Sequence, residues 1–424
     1  MRLAGEIVRL LLFSNTTGYQ ANAFREAAEQ VGVPITLATD RCHVLDDPWG
    51  DRATPVKFRE AQESARLVVE QSDELKFTGI VAIGDAPTLT AALTAAKLGL
   101  RYHPPAAVEA CKNKWLAREL FKGAGLQVPW YKRVPADENP RELVSQVPFP
   151  CVLKPLGLSA SRGVIRANVG SEFVEAFHRI GELLKAADIR LQHEEATQWI
   201  QIESYIPGQE FALEGIVTTG VLKALALFDK PDPLEGPYFE ETIYVAPSRL
   251  PYSVQQAIVA TTQRAIAALG LTNGPVHAEM RLNDEGVWML EVAARPIGGL
   301  CAKTLRFGEH GMPLEELIVR HALGEDIRQL EREECASGVM MIPIPQGGFY
   351  EGVKGVEQAE RVRGVESVEI TAKLQQKLLP LPEGASYLGF VFARGETPER
   401  VEQALREAHG CLRFQISSDI PVVK

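Results

Sequence analysis

Residues 274–299 read GPVHAEMRLNDEGVWMLEVAARPIGG and carry more chemistry than any other window of the chain. Polarity alternates over 275–282 and 287–293 as it does in strands, and every even position in both runs, from Val276 to Leu282 and from Trp288 to Val292, is apolar. His277, Glu279, Arg281 and Glu291 fall on odd positions. The turn decides whether the two glutamates meet. A two-residue loop places them on opposite faces of the hairpin. A three-residue loop, Asp284-Glu285-Gly286 with the glycine left-handed, sets Glu279 opposite Glu291, and this register is the one expected.

Carboxylates directly opposite on a ladder have Cβ atoms roughly 5 Å apart and repel unless a cation sits between them. A hard divalent ion with oxygen ligands at about 2.0–2.1 Å suits that gap, and Mg²⁺ commonly takes phosphate oxygens as further ligands. Arg295, four residues past Glu291, adds positive charge at the same end. On this stretch alone, an amphipathic hairpin with a solvated polar face is the competing explanation.

The 424-residue length suggests roughly two to four domains. Composition is that of a globular enzyme, 46% hydrophobic and 24% charged, with a net charge of −10 that argues against a duplex nucleic-acid partner. The six cysteines are scattered without a CxxC pair, which argues against a zinc site or disulfide framework and fits a reducing compartment. The apolar run Leu10–Phe13 is too short for a signal-peptide core or a membrane span. A cytoplasmic location is the expectation.

Residues 6–100 alternate strand and helix, as in a doubly wound α/β sheet. The turn after the first strand, Ser14-Asn15-Thr16-Thr17-Gly18, lacks GxGxxG, so no dinucleotide site is supported. Asp85 follows the strand 79–83, at the end where such sheets place ligands, and a helix cap is its simpler role. A helix is expected over 105–124, with Lys112 and Lys114 in its first half. Lys154 then interrupts an apolar strand, and buried lysines are rare without a partner. The small-residue loop 156–163 follows, including Ser159, Ser161 and Gly163, and a second strand succeeds it. That is not the strand-to-helix setting of GxxxxGK[ST], but such a loop can cover phosphates with backbone N–H groups and hydroxyls. Glu203 and Glu210 flank a Pro-Gly turn. Beyond residue 311, strands and a helix suggest an α+β module packed back on the rest.

A lysine on a helix, a lysine before a small-residue loop, E-x-Y-I-x-G-x-E-F and a hairpin ending E-x-x-x-R stand here in one order. That order resembles the ATP-grasp superfamily over nearly the whole chain. The resemblance implies a mixed α/β and α+β architecture. A Rossmann-like domain (1–110) would precede a two-subdomain ATP-grasp core (111–310, lid-like part about 130–205), and an α+β module (311–424) would complete the substrate cleft. It also implies roles. Lys114 and Lys154 would contact the phosphates of ATP beneath the loop of Ser159, Ser161 and Gly163. The segment Glu203, Ser204 and Ile206 would meet adenine, and Glu210 the ribose. Glu279 and Glu291 would hold Mg²⁺, or Mn²⁺ in its place, with Arg295 facing the transferred phosphoryl group and His277 orienting substrate or taking a proton.

Within the superfamily, H-x-E and E-V-A-A-R-x-x-G-G look most like the L-amino-acid ligases, which form dipeptides, with carnosine-synthase-like enzymes as neighbours. The extra C-terminal module fits that group, whereas D-alanine ligases normally lack it. Ala293 stands where many members carry an asparagine ligand, which leaves the number of metal ions open. The implied activity is an ATP-dependent carboxylate–amine ligase acting through an acyl phosphate. Its partners would be a small carboxylate and an amine, both amino acids; neither nucleic acid nor membrane is expected, and a homodimer is compatible. Asp229, Lys230, Glu240 and Glu241 lie where acceptor contacts often fall, though loop charges are usually solvated. The competing expectations are a biotin-carboxylase-like or purine-pathway relative, and a catalytically weak ATP-binding sensor.

Overall fold

The computed structural model describes residues 9–15, 20–40, 53–72, 75–190 and 195–418. Thr16, Thr17, Gly18 and Cys42 lie outside the described residues. Strands β1 (Leu10–Ser14), β2 (Ile35–Thr39), β3 (Ala53–Pro55) and β4 (Gly79–Ile83) form a parallel sheet in the order β3-β2-β1-β4. Every residue of β1, β2 and β4 is buried, as in parallel strands covered on both faces. The chain then departs from the single helix expected over 105–124. Two helices, Pro105–Lys112 and Lys114–Gly123, meet at an extended Asn113. The Asn113 side chain accepts hydrogen bonds from the Trp115 and Leu116 N–H groups, so it caps the second helix instead of continuing the first.

Strands β5 (Tyr131–Pro135), β6 (Cys151–Pro155), β7 (Ile165–Ala167) and β8 (Trp199–Ser204) form an antiparallel sheet ordered β5-β8-β6-β7. The helix Gly170–Leu184 covers it, packing Phe173, Phe177 and Ile180 onto Leu153 and Ile202. This layer therefore has its own small core.

The largest sheet has eight strands and runs through β9 (Gln209–Thr218), β10 (Val221–Asp229), β11 (Ile243–Ala246), β12 (Gly274–Asn283) and β13 (Gly286–Ala293). Its order is β13-β12-β9-β10-β11, continued by Ala336–Ile342, Gly389–Gly395 and Val365–Ile370. The C-terminal strands thus extend the central sheet by direct pairing of Ile243–Ala246 with Ser337–Met340. Three further strands, Gly348–Lys354, Lys377–Leu378 and Arg413–Ser417, form a small separate sheet. Among the described residues no helix is long and apolar enough to cross a membrane.

The hairpin reaches the expected pairing by another route. Asn283 pairs with Gly286, so the loop has two residues, Asp284 and Glu285, not three. Regular pairing from that loop would set Glu291 against Ala278, with its side chain toward the core. A bulge intervenes: Met280 pairs with Met289, yet Glu279 pairs with Glu291, leaving Leu290 as the extra residue. The bulge also exchanges inside and outside along β13. Val287 and Met289 face the core with Val292, while Leu290 joins Glu291 on the cleft side, contrary to the simple even-position pattern.

The turn from β8 into β9 tolerates little. Gly208 has φ +112, and a Cβ there would lie 2.2 Å from the Leu282 carbonyl oxygen. Gly220, at φ +82, has nothing within 4 Å of that position. Gly220→Ala should cost about 1 kcal/mol of backbone strain, and Gly208→Ala several kcal/mol more because the β12 backbone must move. Thermal unfolding of both variants checks the difference.

Candidate active site

Between the antiparallel layer and the large sheet lies a cavity of about 320 Å³, within the range of small-molecule sites. Lys114, Lys154, Glu279, Glu291 and Arg295 all line it. So do Ser159, Ser161, Glu203, Ser204, Ile206 and Glu210, together with His277. Residues spread over about 180 positions of sequence are thereby brought to one place. Gly163 is the exception: it stands apart from this lining, with its N–H donating to the Pro382 carbonyl at 2.8 Å. Its φ is +74 and a Cβ would meet Pro155 at 2.6 Å, so glycine is required there by the turn itself.

Each lysine is already engaged. The Lys154 ammonium donates to Glu203 at 2.6 Å, and that of Lys114 to the Leu158 carbonyl at 2.6 Å. Glu203 also receives Arg118 at 2.7 and 3.3 Å and Gln201 at 2.7 Å. Burial alone would raise its carboxyl, but Arg118 and Lys154 hold it well below the usual carboxylate range. Arg118 was not singled out by the sequence; its signal was an arginine amid the buried residues Ala117 and Phe121 of an amphipathic helix. Ser204 accepts from the Trp130 N–H at 3.1 Å, and the Ile206 carbonyl accepts from Arg281 at 2.9 Å. These bonds fix the segment that links the two layers.

The loop over the cavity is strained. Ala160 and Ser161 both have positive φ, 55° and 54°. Its anchors come from far along the chain: Arg162 donates to the Glu383 carbonyl at 2.8 Å, and Arg179 grips the Glu383 carboxylate at 2.6 and 2.9 Å. The C-terminal part of the chain thus holds the loop down.

Charge is most concentrated around Glu279. Buried Lys230 lies 2.9 Å from Glu210 and 3.4 Å from Glu279, and also contacts Glu241. Glu210 receives Arg281 as well, at 3.0 Å. Burial works against the Glu279 carboxylate, yet Lys230 and His277 hold it low. Glu291 is pushed up by burial and by Glu279, which Lys114 and Arg295 only partly offset. A divalent cation between them would remove that repulsion, so the pair fits such an ion. Oxygens of Glu210, Glu241 and Glu279 also lie within 4.8 Å of one another, with Lys230 among them.

His277 contacts Glu214 through Nδ1 at 3.1 Å and Glu279 through Nε2 at 3.4 Å. Burial would lower it, but the two carboxylates raise it to about 9, so the ring is an imidazolium that orients Glu279. Arg295 forms a bidentate pair with Asp85, at 2.7 and 3.0 Å. Asp85 begins the helix Asp85–Leu98, so the N-terminal layer aims the arginine into the cleft.

Residues 147–304 match the ATP-grasp domain family. The chain thus carries an ATP-grasp domain. Its residues 340–417 match the L-amino acid ligase C-terminal domain 2. The solved L-amino acid ligase from Bacillus licheniformis superposes with a TM-score of 0.81 at 25% identity, covering 97% of this chain and 100% of that one. Alanine–anticapsin ligase of Bacillus subtilis (strain 168) is 29% identical over 216 residues, 48% of this chain and 45% of that protein. Carnosine synthase 1 of Gallus gallus is 25% identical over 382 residues, 83% of this chain and 40% of that protein. The matched region is thus less than half the length of each of these two relatives. ATP-grasp enzymes as a group use ATP with Mg²⁺, and the two opposed glutamates of this ATP-grasp domain fit that chemistry.

Removing Lys230 should expose what it neutralises. Lys230→Met leaves the buried carboxylates of Glu210, Glu241 and Glu279 facing one another and should destabilise the protein by about 3–5 kcal/mol. In thermal unfolding, added Mg²⁺ should raise the midpoint of the variant more than that of the parent.

Proposed function

We propose that this protein is an ATP- and Mg²⁺-dependent ligase that joins two amino acids through an acyl-phosphate intermediate, releasing ADP and phosphate. The observation that carries the reading is the cleft itself. Glu279 and Glu291 face each other across one hairpin, in a cavity that also contains Lys114, Lys154 and Arg295. The amino-acid ligases among the relatives support the choice of substrates.

A carboxylate is a poor electrophile because it would have to expel oxide or hydroxide. In the proposed reaction a carboxylate oxygen attacks the γ-phosphorus, and ADP leaves. The amine nitrogen of the second substrate then attacks the acyl carbon. The C–N bond forms as the C–O bond to phosphate breaks, and the amine's proton leaves with the departing phosphate. The metal supplies charge neutralisation for the phosphates when bound. Glu279 and Glu291 would hold it, with His277 keeping Glu279 oriented.

The remaining work belongs to the chain. Lys114 and Lys154 balance phosphate charge, and Lys154 must share its ammonium with Glu203 to do so. Arg295, held by Asp85, presents a fixed guanidinium to the transferred group. Positioning and electrostatics of this kind suffice for phosphoryl transfer. The loop 159–163 covers the cavity, and excluding water protects an acyl phosphate from hydrolysis. Domain limits of 1–110, 111–310 and 311–424 remain part of the proposal; the strand pairing of 243–246 with 337–340 makes the last two a continuous structure. The lid-like part is proposed over about 130–205, the span that contains β5, β6, β7 and β8.

Phosphate release should be negligible with Mg²⁺ and ATP alone and should rise when amino acids are added in pairs. Glu291→Gln should lower kcat on the order of a hundredfold or more, the scale of losing one preorganised charge contact. A sensor would bind ATP without any amine-dependent turnover.

A further inference from the structure

The cavity holds two apolar regions, and they lie on different parts of the large sheet. One is formed by Val152, Ile206 and Leu290, next to Glu203. The other is formed by Tyr244, Cys301, Met341, Tyr387 and Phe390. Leu290 belongs to β13 and Tyr244 to β11, four strands away in the order β13-β12-β9-β10-β11. At about 4.8 Å per strand that separation is roughly 19 Å, too far for one planar base to touch both. The charged group of Glu279, Glu210 and Lys230 lies between them.

The second region faces the same side of the sheet as Glu279. Glu279 pairs with Ala212 and Ala212 with Phe228, which keeps all three on one face. The Phe228 and Tyr244 rings meet at 5.6 Å, and Met341 pairs with Phe390 on the adjoining strands. Tyr387 packs edge-on against Phe390 at 6.1 Å. Tyr244, Cys301, Met341 and Phe390 are each at most 4% exposed. The wall is therefore set by hydrogen-bonded strands and close packing, so its shape exists before any ligand arrives.

The charged groups beside it are each engaged by a partner. Lys230 stands over the Tyr244 ring at 4.9 Å and is bound to Glu210, Glu241 and Glu279. Arg295 is held by Asp85. An anionic side chain entering here would meet Glu241 and would have to break one of these pairs. A neutral apolar side chain needs no such exchange and gains from leaving water.

Resting on the ligase reading above, we propose that the wall of Tyr244, Met341, Tyr387 and Phe390 receives the side chain of one amino-acid substrate, and that this substrate is neutral and apolar. Gly298 borders the same cavity, and a Cβ there would meet nothing within 4 Å. A larger residue at 298 would fill space without displacing a neighbour. Gly299 differs: a Cβ would press on the Phe390 ring at 3.0 Å.

The test uses the full chain with Mg²⁺, ATP and pairs of amino acids, measuring ADP formation. In a second arm, calorimetry follows binding of single amino acids to protein loaded with Mg²⁺ and a non-hydrolysable ATP analogue. Leu, Met or Phe as one member of the pair should give kcat/KM about a hundredfold above Asp, Glu or Lys. In Gly298→Leu the ratio of kcat/KM for Phe to that for Ala should fall about tenfold, the size of a steric effect in an apolar pocket. Preference for a charged side chain in either arm, or an unchanged Phe-to-Ala ratio in the variant, overturns the proposal. Selective binding of Leu or Phe without turnover of any pair supports the apolar subsite and overturns the ligase reading instead.

Discussion

Buried carboxylates cannot face one another without a cation, and the cleft of this protein is arranged around that constraint. Glu279 and Glu291 pair across the β12–β13 hairpin, while Glu210 and Glu241 approach Glu279 from neighbouring segments. Lys230 and Arg281 neutralise part of this charge, and His277 neutralises more as an imidazolium. Glu291 is left least compensated, and burial with Glu279 nearby raises it. The site is thus built to gain from an added divalent ion. In the proposed reaction a polyphosphate would bring the opposite charge to that ion and to the surrounding lysines.

The architecture supplies these groups from four directions. The N-terminal layer aims Arg295 through Asp85, and the helix Lys114–Gly123 contributes Lys114 and Arg118. The antiparallel layer contributes Lys154 and the covering loop. The C-terminal strands extend the central sheet and provide Met341 and Phe390, while the Glu383 segment fastens the loop. One eight-stranded sheet carries both the acidic pair and the apolar wall, which fixes their separation. The match to the L-amino acid ligase C-terminal domain covers the residues that build that wall, Met341, Tyr387 and Phe390.

Much of this was legible in local sequence, because strand alternation and turn chemistry are short-range effects. The facing glutamates were read correctly, but for a partly wrong reason: parity was restored by a bulge at Leu290 and not by a three-residue loop. A bulge leaves little trace in polarity when the extra residue is apolar like its neighbours. Asn113 could have been recognised as a cap, since it precedes Lys-Trp-Leu at a helix start. The partners of Lys154, Lys230 and Arg118 were out of reach. Glu203 lies 85 residues from Arg118 and 49 from Lys154, and only folding brings them within hydrogen-bond distance. The joining of β11 to residues 336–342 is likewise a long-range pairing that no local pattern announces.

The most direct measurement is a titration of ADP into the full-length protein with and without Mn²⁺, following bound Mn²⁺ by electron paramagnetic resonance. Parent protein should bind Mn²⁺ tightly only when ADP is present. Glu279→Gln and Glu291→Gln should each weaken that metal-dependent binding on the order of a hundredfold, as expected for loss of one charged ligand, while metal-free ADP binding stays nearly constant. Unaltered Mn²⁺ affinity in both variants would contradict the account, because the metal would then be held somewhere other than between the two glutamates.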